Sequence, residues 1–257
     1  MDSQQFNGTK WTARNAWQCW LALILLELVI SIWLRIAQSH PASANWLMLH
    51  EYTVQNSLKI LRVGLWLSVA YWLSGAQSLR NFAQNTGLSQ RPNLLGWLGA
   101  WVAIGISFID GIGIAKHLTS PNEVTRGFFS HGGEALLFYI LFVISLGPFF
   151  EEVVMRGFLY RAFRGSYGRF LSIALVVGAG AWFHWDAVIH SLWTPACLFS
   201  LWVLLCVIRE WTGSVWNCVI CHAAYNAAGS APWPFYVVGM FLLLFCCQWT
   251  VKTSQEV

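Results

Sequence analysis

The sequence predicts an all-α fold: a polytopic membrane protein of about eight transmembrane helices enclosing an intramembrane cavity. Three observations support this. Of 257 residues, 57% are hydrophobic and only 10% charged, with a mean hydropathy of +0.54; a soluble domain carries roughly a quarter charged residues. The apolar residues come in runs of roughly 17 to 25, the length that crosses a bilayer as a helix. Many of the 17 tryptophans stand near the ends of those runs, as expected of rings anchored at the membrane interface.

In chain order the runs are 17–35, 60–79, 94–115, 135–155, 168–185, 193–208, 213–229 and 233–250. The first begins near residue 17 and has no small-residue cleavage site, so it reads as an uncleaved anchor. The fourth contains Pro148 and is expected to continue as one kinked helix to about residue 164, because a membrane helix tolerates a proline bend. The seventh holds Asn217, His222 and Asn226, so it is expected to face other helices rather than lipid. Connections 36–59 and 116–134 are modest and polar, and no repeat or low-complexity tract interrupts the chain. Residues 1–257 are therefore read as a single integral membrane domain.

The net charge of +4 matters less than its distribution. With eight spans and a cytosolic N-terminus, Lys10, Arg14, Arg80, Arg91, Arg156, Arg161, Arg164, Arg169, Arg209 and Lys252 fall on the cytosolic side. Only Arg35, Lys59, Arg62, Lys116 and Arg126 fall on the other. That asymmetry predicts both termini in the cytosol. The compact chain, lacking targeting extensions, favours a bacterial plasma membrane. The Arg161–Arg169 cluster reads as a topology anchor, and nothing indicates nucleic acid as a partner. The seven cysteines lie in or beside apolar runs and read as small buried hydrophobes. Cys218-Val-Ile-Cys221-His222 has the spacing of a c-type haem attachment site, but that chemistry needs a wet segment and these residues lie inside a predicted span.

Ionised groups in the membrane cost at least about 2.5 kcal/mol each and usually mark function. Three polar sites interrupt the spans: Glu151 and Glu152 with Arg156, His184, and His222 with Asn226. Glu151 lies 14 residues before Gly165 and His184 16 residues after Gly168, across the Gly165-Ser166-Tyr167-Gly168 turn. In an antiparallel hairpin both then lie roughly 20–25 Å from the turn. His222 lies 13 residues beyond Arg209, at a similar depth of roughly 20 Å.

A carboxylate in low dielectric is a better base near neutral pH, and His184 opposite Glu151 is placed to share a water with it. His222 and Asn226 lie one turn apart on one face, where they can donate to a developing oxyanion. Glu152 and Arg156, also four apart, can pair and fix their helix. Each site has a structural alternative: Glu152 with Arg156 as a pure orienting pair, His184 as a satisfied buried histidine, and His222 with Asn226 as an interhelical hydrogen-bonding patch. Glu27 and Asp110 are expected to pair between helices; Asp186 and His190, two and six residues after His184, are considered as a lesser alternative for orienting it.

The order EEVVMR at 151–156, His184 in GAGAWFH, then HAAYN at 222–226 resembles the CAAX prenyl protease and bacteriocin-processing (CPBP, or Abi) family of glutamic-type intramembrane proteases. The segment Arg209 to Trp216 also looks like the family's lead-in to its last motif, and the resemblance covers about residues 134–230. It implies an intramembrane endopeptidase with Glu151 as the water-activating base, His184 as its partner, and His222 and Asn226 around the oxyanion. Glu152 and Arg156 support them. The implied partners are the bilayer and a membrane-tethered protein or peptide substrate. One departure stands out: the family pattern has Phe four residues before the second-motif His, and here that position is Gly180, with Phe183 or Trp182 expected to fill the space.

Two His and one Glu form an acceptable zinc set, but Asn226 is not a usual zinc ligand and no HExxH helix is present. The expectation is therefore no metal and no other cofactor. Competing readings are a proton or ion translocator using buried Glu and His as a relay, and a non-catalytic scaffold or immunity-type protein.

Overall fold

The computed structural model of the protein describes residues 11–40, 51–117, 139–185 and 193–230. All regular structure among these residues is helical. The rods are α1 (Ala13–Ser39), α2 (Glu51–Leu73), α3 (Leu79–Thr86), α4 (Leu94–His117), α5, α6 (Arg169–Phe183), α7 (Trp193–Thr212) and α8 (Val215–Ser230). The composite rod α5 is π-helical over Tyr139–Leu146, α-helical over Gly147–Glu152, π-helical over Val153–Leu159 and α-helical over Tyr160–Arg164. Helix α1, residues Leu94–Gly111 of α4, and α7 are long and apolar enough to cross a membrane.

Seven of the eight predicted spans correspond to rods, and the eighth, 233–250, lies outside the described residues. The predicted continuation through Pro148 holds, since α5 runs without a break to Arg164. The π turns on either side of Pro148 were not foreseen. A Cβ on Gly147 would collide with the Phe142 carbonyl, so glycine permits the wide turn to close.

Helix α3 is a correction to the sequence reading, which passed from the second span to the third through a plain connection. Ser78 Oγ accepts the Asn81 N–H at 3.2 Å and starts the helix. Gly87, with φ +85°, ends it in the left-handed conformation that glycine adopts without strain. At only eight residues α3 cannot span a bilayer. It turns Phe82 and Thr86 inward beneath α5.

Helix α5 is the central rod. Every residue from Glu152 to Tyr160 is buried, and a helix covered all round must be surrounded by others. On one side α1, α2, α3 and α6 share a core with it through Phe158, Phe163, Phe82, Leu23 and Val176. On the other, α4, α7 and α8 build a second core around Leu201, Trp202, Leu205 and Tyr225. The outer face of α1 leaves Leu21, Leu25, Val29, Ile32 and Trp33 exposed, the surface expected where the solvent is lipid.

Close approach of α4 and α8 depends on small residues, the usual device of membrane helix pairs. A Cβ on Gly96 would lie 2.6 Å from Asn217 Cγ, and one on Gly99 would lie 2.8 Å from Cys221 Sγ. The pair is locked by Asn217, whose Oδ1 accepts the Asn93 N–H at 3.0 Å, and by Ser107 Oγ donating to the Tyr225 carbonyl at 2.8 Å. Gly96→Val is expected to separate these helices and destabilise the protein by about 1–3 kcal/mol, read as a lower unfolding midpoint in detergent. Glu27 does pair with Arg62 of α2, at 3.1 Å. Asp110 accepts from Tyr225 Oη at 2.8 Å, so both acids bridge helices as expected.

Candidate active site

Glu151 and Glu152 end the α-helical part of α5, just before its second π segment. As neighbours on a helix they point in different directions and meet different surroundings. Glu152 is fully buried, and its Oε1 accepts from Arg156 Nη1 at 2.9 Å and bonds His222 Nδ1 at 2.8 Å. Glu151 is partly open, with 30% of its side chain accessible.

The structure brings His184 and His222 to Glu151. His184 Nε2 is 3.8 Å from Glu151 Oε2, and His222 Nε2 is 4.0 Å from the same oxygen. His184 caps the C-terminus of α6, where its N–H still reaches the Gly180 carbonyl at 3.1 Å. Its ring lies beyond the last helical turn and leans on the Trp202 indole, centroids 5.5 Å apart and planes inclined at 33°. Asn226 stands one turn along α8 from His222, and its Nδ2 donates to the Val143 carbonyl in the first π segment of α5 at 2.8 Å.

Arg156 is held twice, by Glu152 and by the Trp202 carbonyl, to which Nη2 donates at 3.4 Å. Arg209 lies entirely inside, and its guanidinium donates to the carbonyls of Arg156, Thr86 and Gly213. These contacts tie α5, α3 and the start of α8 to one side chain. Arg209 therefore fixes the height at which α8 presents His222. Glu210 collects the cluster read as a topology anchor: its carboxylate takes Arg164 Nε at 3.1 Å, Arg169 Nε at 3.2 Å and Tyr160 Oη at 2.8 Å.

The haem-type spacing has another explanation. Cys218 and Cys221 are fully buried, and their thiols point at the carbonyls of Leu205 and Gly96, each at 3.3 Å. They pack α8 against α7 and α4.

Residues 133–228 match the family described as type II CAAX prenyl endopeptidase Rce1-like. This segment is similar to the CAAX prenyl proteases. It contains every candidate site residue, from Glu151 to Asn226. No curated protein and no solved structure matches the chain. Three helices among the described residues are long and apolar enough to cross a membrane, in keeping with this similarity.

A zinc ion is the cofactor to test against this site. Four-coordinate zinc with bonds of about 2.0–2.1 Å sets neighbouring donor atoms roughly 3.4 Å apart. Glu151 Oε2 stands 3.8 and 4.0 Å from the two Nε2 atoms, wider than that arrangement. Among the described residues no group of three or more His, Cys, Asp or Glu side chains is disposed to hold a metal.

Sequence reasoning missed three parts of the candidate site. The Glu152–His222 bond joins residues 70 apart and has no local signal. Trp202 was one more tryptophan in an apolar run. Glu210 was legible in principle: an acid beside a membrane segment, on the side carrying Arg164 and Arg169, invites a pairing. Asp186 and His190, considered for orienting His184, lie outside the described residues.

Proposed function

We propose that this chain is an intramembrane endopeptidase that hydrolyses a peptide bond of a membrane-associated protein or peptide, using a water activated by Glu151 and His184. The observation that carries it is the meeting of Glu151 Oε2 with two imidazoles, from α6 and α8, at 3.8 and 4.0 Å. Those gaps are too long for direct hydrogen bonds. A single water at about 2.8 Å from each group would bridge them, the two contacts subtending roughly 90° at its oxygen.

In this reading the Glu151 carboxylate takes a proton from the water while the water oxygen attacks the scissile carbonyl carbon. The carbonyl π electrons move to its oxygen. His222 meets that oxyanion. Its Nδ1 bonds the Glu152 carboxylate, which fixes the ring so that Nε2, when it carries a proton, donates to the oxyanion. Asn226 holds α8 to α5 through Val143 and stands one turn from His222, on the side where the oxyanion would form. The C–N bond then breaks, and the proton held by Glu151 passes to the leaving amine. No serine or cysteine nucleophile and no metal takes part.

Membrane tethering of the substrate is supported by the site itself, which lies between apolar rods. Basic-residue asymmetry supports cytosolic termini, in one integral membrane unit of a bacterial plasma membrane. The linked series Arg156, Glu152, His222, Glu151, His184 would also serve a proton relay, and the family match favours hydrolysis. Two measurements separate the readings. Comparing membrane proteomes of wild type and a Glu151→Gln strain is expected to reveal an uncut precursor in the variant; identical proteomes with pH-driven flux in liposomes would favour the relay. A strong chelator is expected to leave turnover by the purified protein unchanged, and loss of activity restored by added zinc would overturn the metal-free mechanism.

A further inference from the structure

Gly180 departs from the family pattern, and the structure shows what occupies the vacated space. A Cβ built on Gly180 would lie 3.2–3.5 Å from three atoms of the Trp202 indole, Cδ2, Cε2 and Cε3. The ring thus lies flat against the backbone of α6 at the position where the pattern places an aromatic side chain. It is 3% exposed. Phe199, one turn earlier on α7, packs edge-on against it with centroids 5.6 Å apart and planes at 82°. Trp202 is therefore fixed on two sides, by Gly180 and by Phe199.

Its remaining surface meets the candidate site. The indole lies 5.5 Å from the His184 ring, inclined at 33°, a separation typical of favourable aromatic pairs. His184 needs such support. With φ −110° and ψ 28° it has left the helix, its side chain is 39% accessible, and its contact with Glu151 is 3.8 Å, too long to fix a ring. The Trp202 carbonyl also accepts from Arg156, the cation paired with Glu152. One residue of α7 thereby touches both halves of the acid–imidazole arrangement.

We propose that Trp202 is a positioning residue that holds the His184 imidazole toward Glu151, entering from α7 to replace the aromatic side chain absent at Gly180. This inference rests on the hydrolytic reading. It adds that the glycine and the tryptophan form a matched pair: a side chain at 180 and an indole at 202 compete for one space. It also gives Trp202 a role through His184 alone, with no contact to substrate.

The test is a set of variants assayed for kcat and KM on one membrane-anchored peptide substrate, with unfolding midpoints recorded alongside. Trp202→Ala is expected to lower kcat by roughly 10- to 100-fold, the range for a misplaced reacting group, with KM little changed. Trp202→Phe is expected to recover much of the loss. Gly180→Ala, whose methyl would press the indole by a few tenths of an ångström, is expected to lower kcat several-fold while folding normally. Gly180→Phe combined with Trp202→Ala is expected to outperform Trp202→Ala alone.

The deciding comparison is made in a His184→Ala background. There Trp202→Ala should cost nothing further, because the ring it positions is gone. A further drop in kcat of the same size would overturn the proposal, as would a loss that tracks the unfolding midpoint across the set. Full turnover by Glu151→Gln would instead overturn the hydrolytic reading, so the two failures are distinguishable. Should Trp202→Ala not fold, Gly180→Ala and Trp202→Phe, each with and without His184→Ala, decide the matter on the same criterion.

Discussion

Glu151→Gln is expected to remove turnover by the purified protein, a fall of about 10²–10⁴-fold for loss of a general base, while leaving the unfolding midpoint where it was. The two halves of this result have separate physical causes. Glutamine keeps the shape of the side chain but cannot take a proton from water at neutral pH. Stability is spared because the nearest imidazoles stand 3.8 and 4.0 Å from the carboxylate, beyond the range of hydrogen bonds that hold a fold, and because the group is partly open. A purified variant that still cleaves would remove Glu151 from the role of base. A variant that unfolds would assign it a structural role instead.

Glu152→Gln is expected to behave in the opposite sense, costing stability first. Its carboxylate is fully buried and serves Arg156 at 2.9 Å and His222 at 2.8 Å through one oxygen. Neutralising it leaves the buried Arg156 guanidinium without its ion-pair partner, a change that costs about 3–5 kcal/mol. His222 also loses the carboxylate that fixes its ring, so turnover per folded molecule should fall as well. Thermal unfolding in detergent, paired with activity per folded molecule, measures both effects. Replacing both partners, Glu152→Leu with Arg156→Leu, is expected to recover much of the stability, since an apolar pair of similar size is often neutral, without recovering activity. Equal stability of Glu152→Gln and wild type would contradict the role given to this buried pair.

The contrast between these neighbouring acids shows what a sequence can carry. Composition and run length identified the membrane class and the positions of the described long helices, because burial in lipid demands nearly continuous apolar stretches. Helical rise alone brought Glu151 and His184 to one depth across the turn at 165–168, and the structure finds them 3.8 Å apart. Which acid stands open between two imidazoles and which is sealed inside on Arg156 and His222 depends on rotation about the helix axis, and the π segments of α5 alter that rotation without a clear sequence mark beyond Pro148.

Helix α3 was missed for a different reason. Leu79–Thr86 is polar enough to pass for a connection, although Ser78 before it and Gly87 after it are ordinary start and stop signals. Arg209 was read only as a depth marker for α8, yet its guanidinium binds three carbonyls from distant segments. Contacts to backbone leave no trace in side-chain pairing rules. Trp202 shows the same limit: a tryptophan in an apolar run signals burial, and nothing local reveals that it lies on Gly180 and His184.

The central claim is that Glu151, His184 and His222 act on one water as a unit, and a cycle of single and double substitutions on kcat measures that directly. Groups that act together are strongly non-additive. With Glu151→Gln, His184→Ala, His222→Ala and their pairs assayed on one substrate, the double variants should be scarcely slower than Glu151→Gln alone. Losses that multiply across the pairs, as for independent sites, would contradict a shared water.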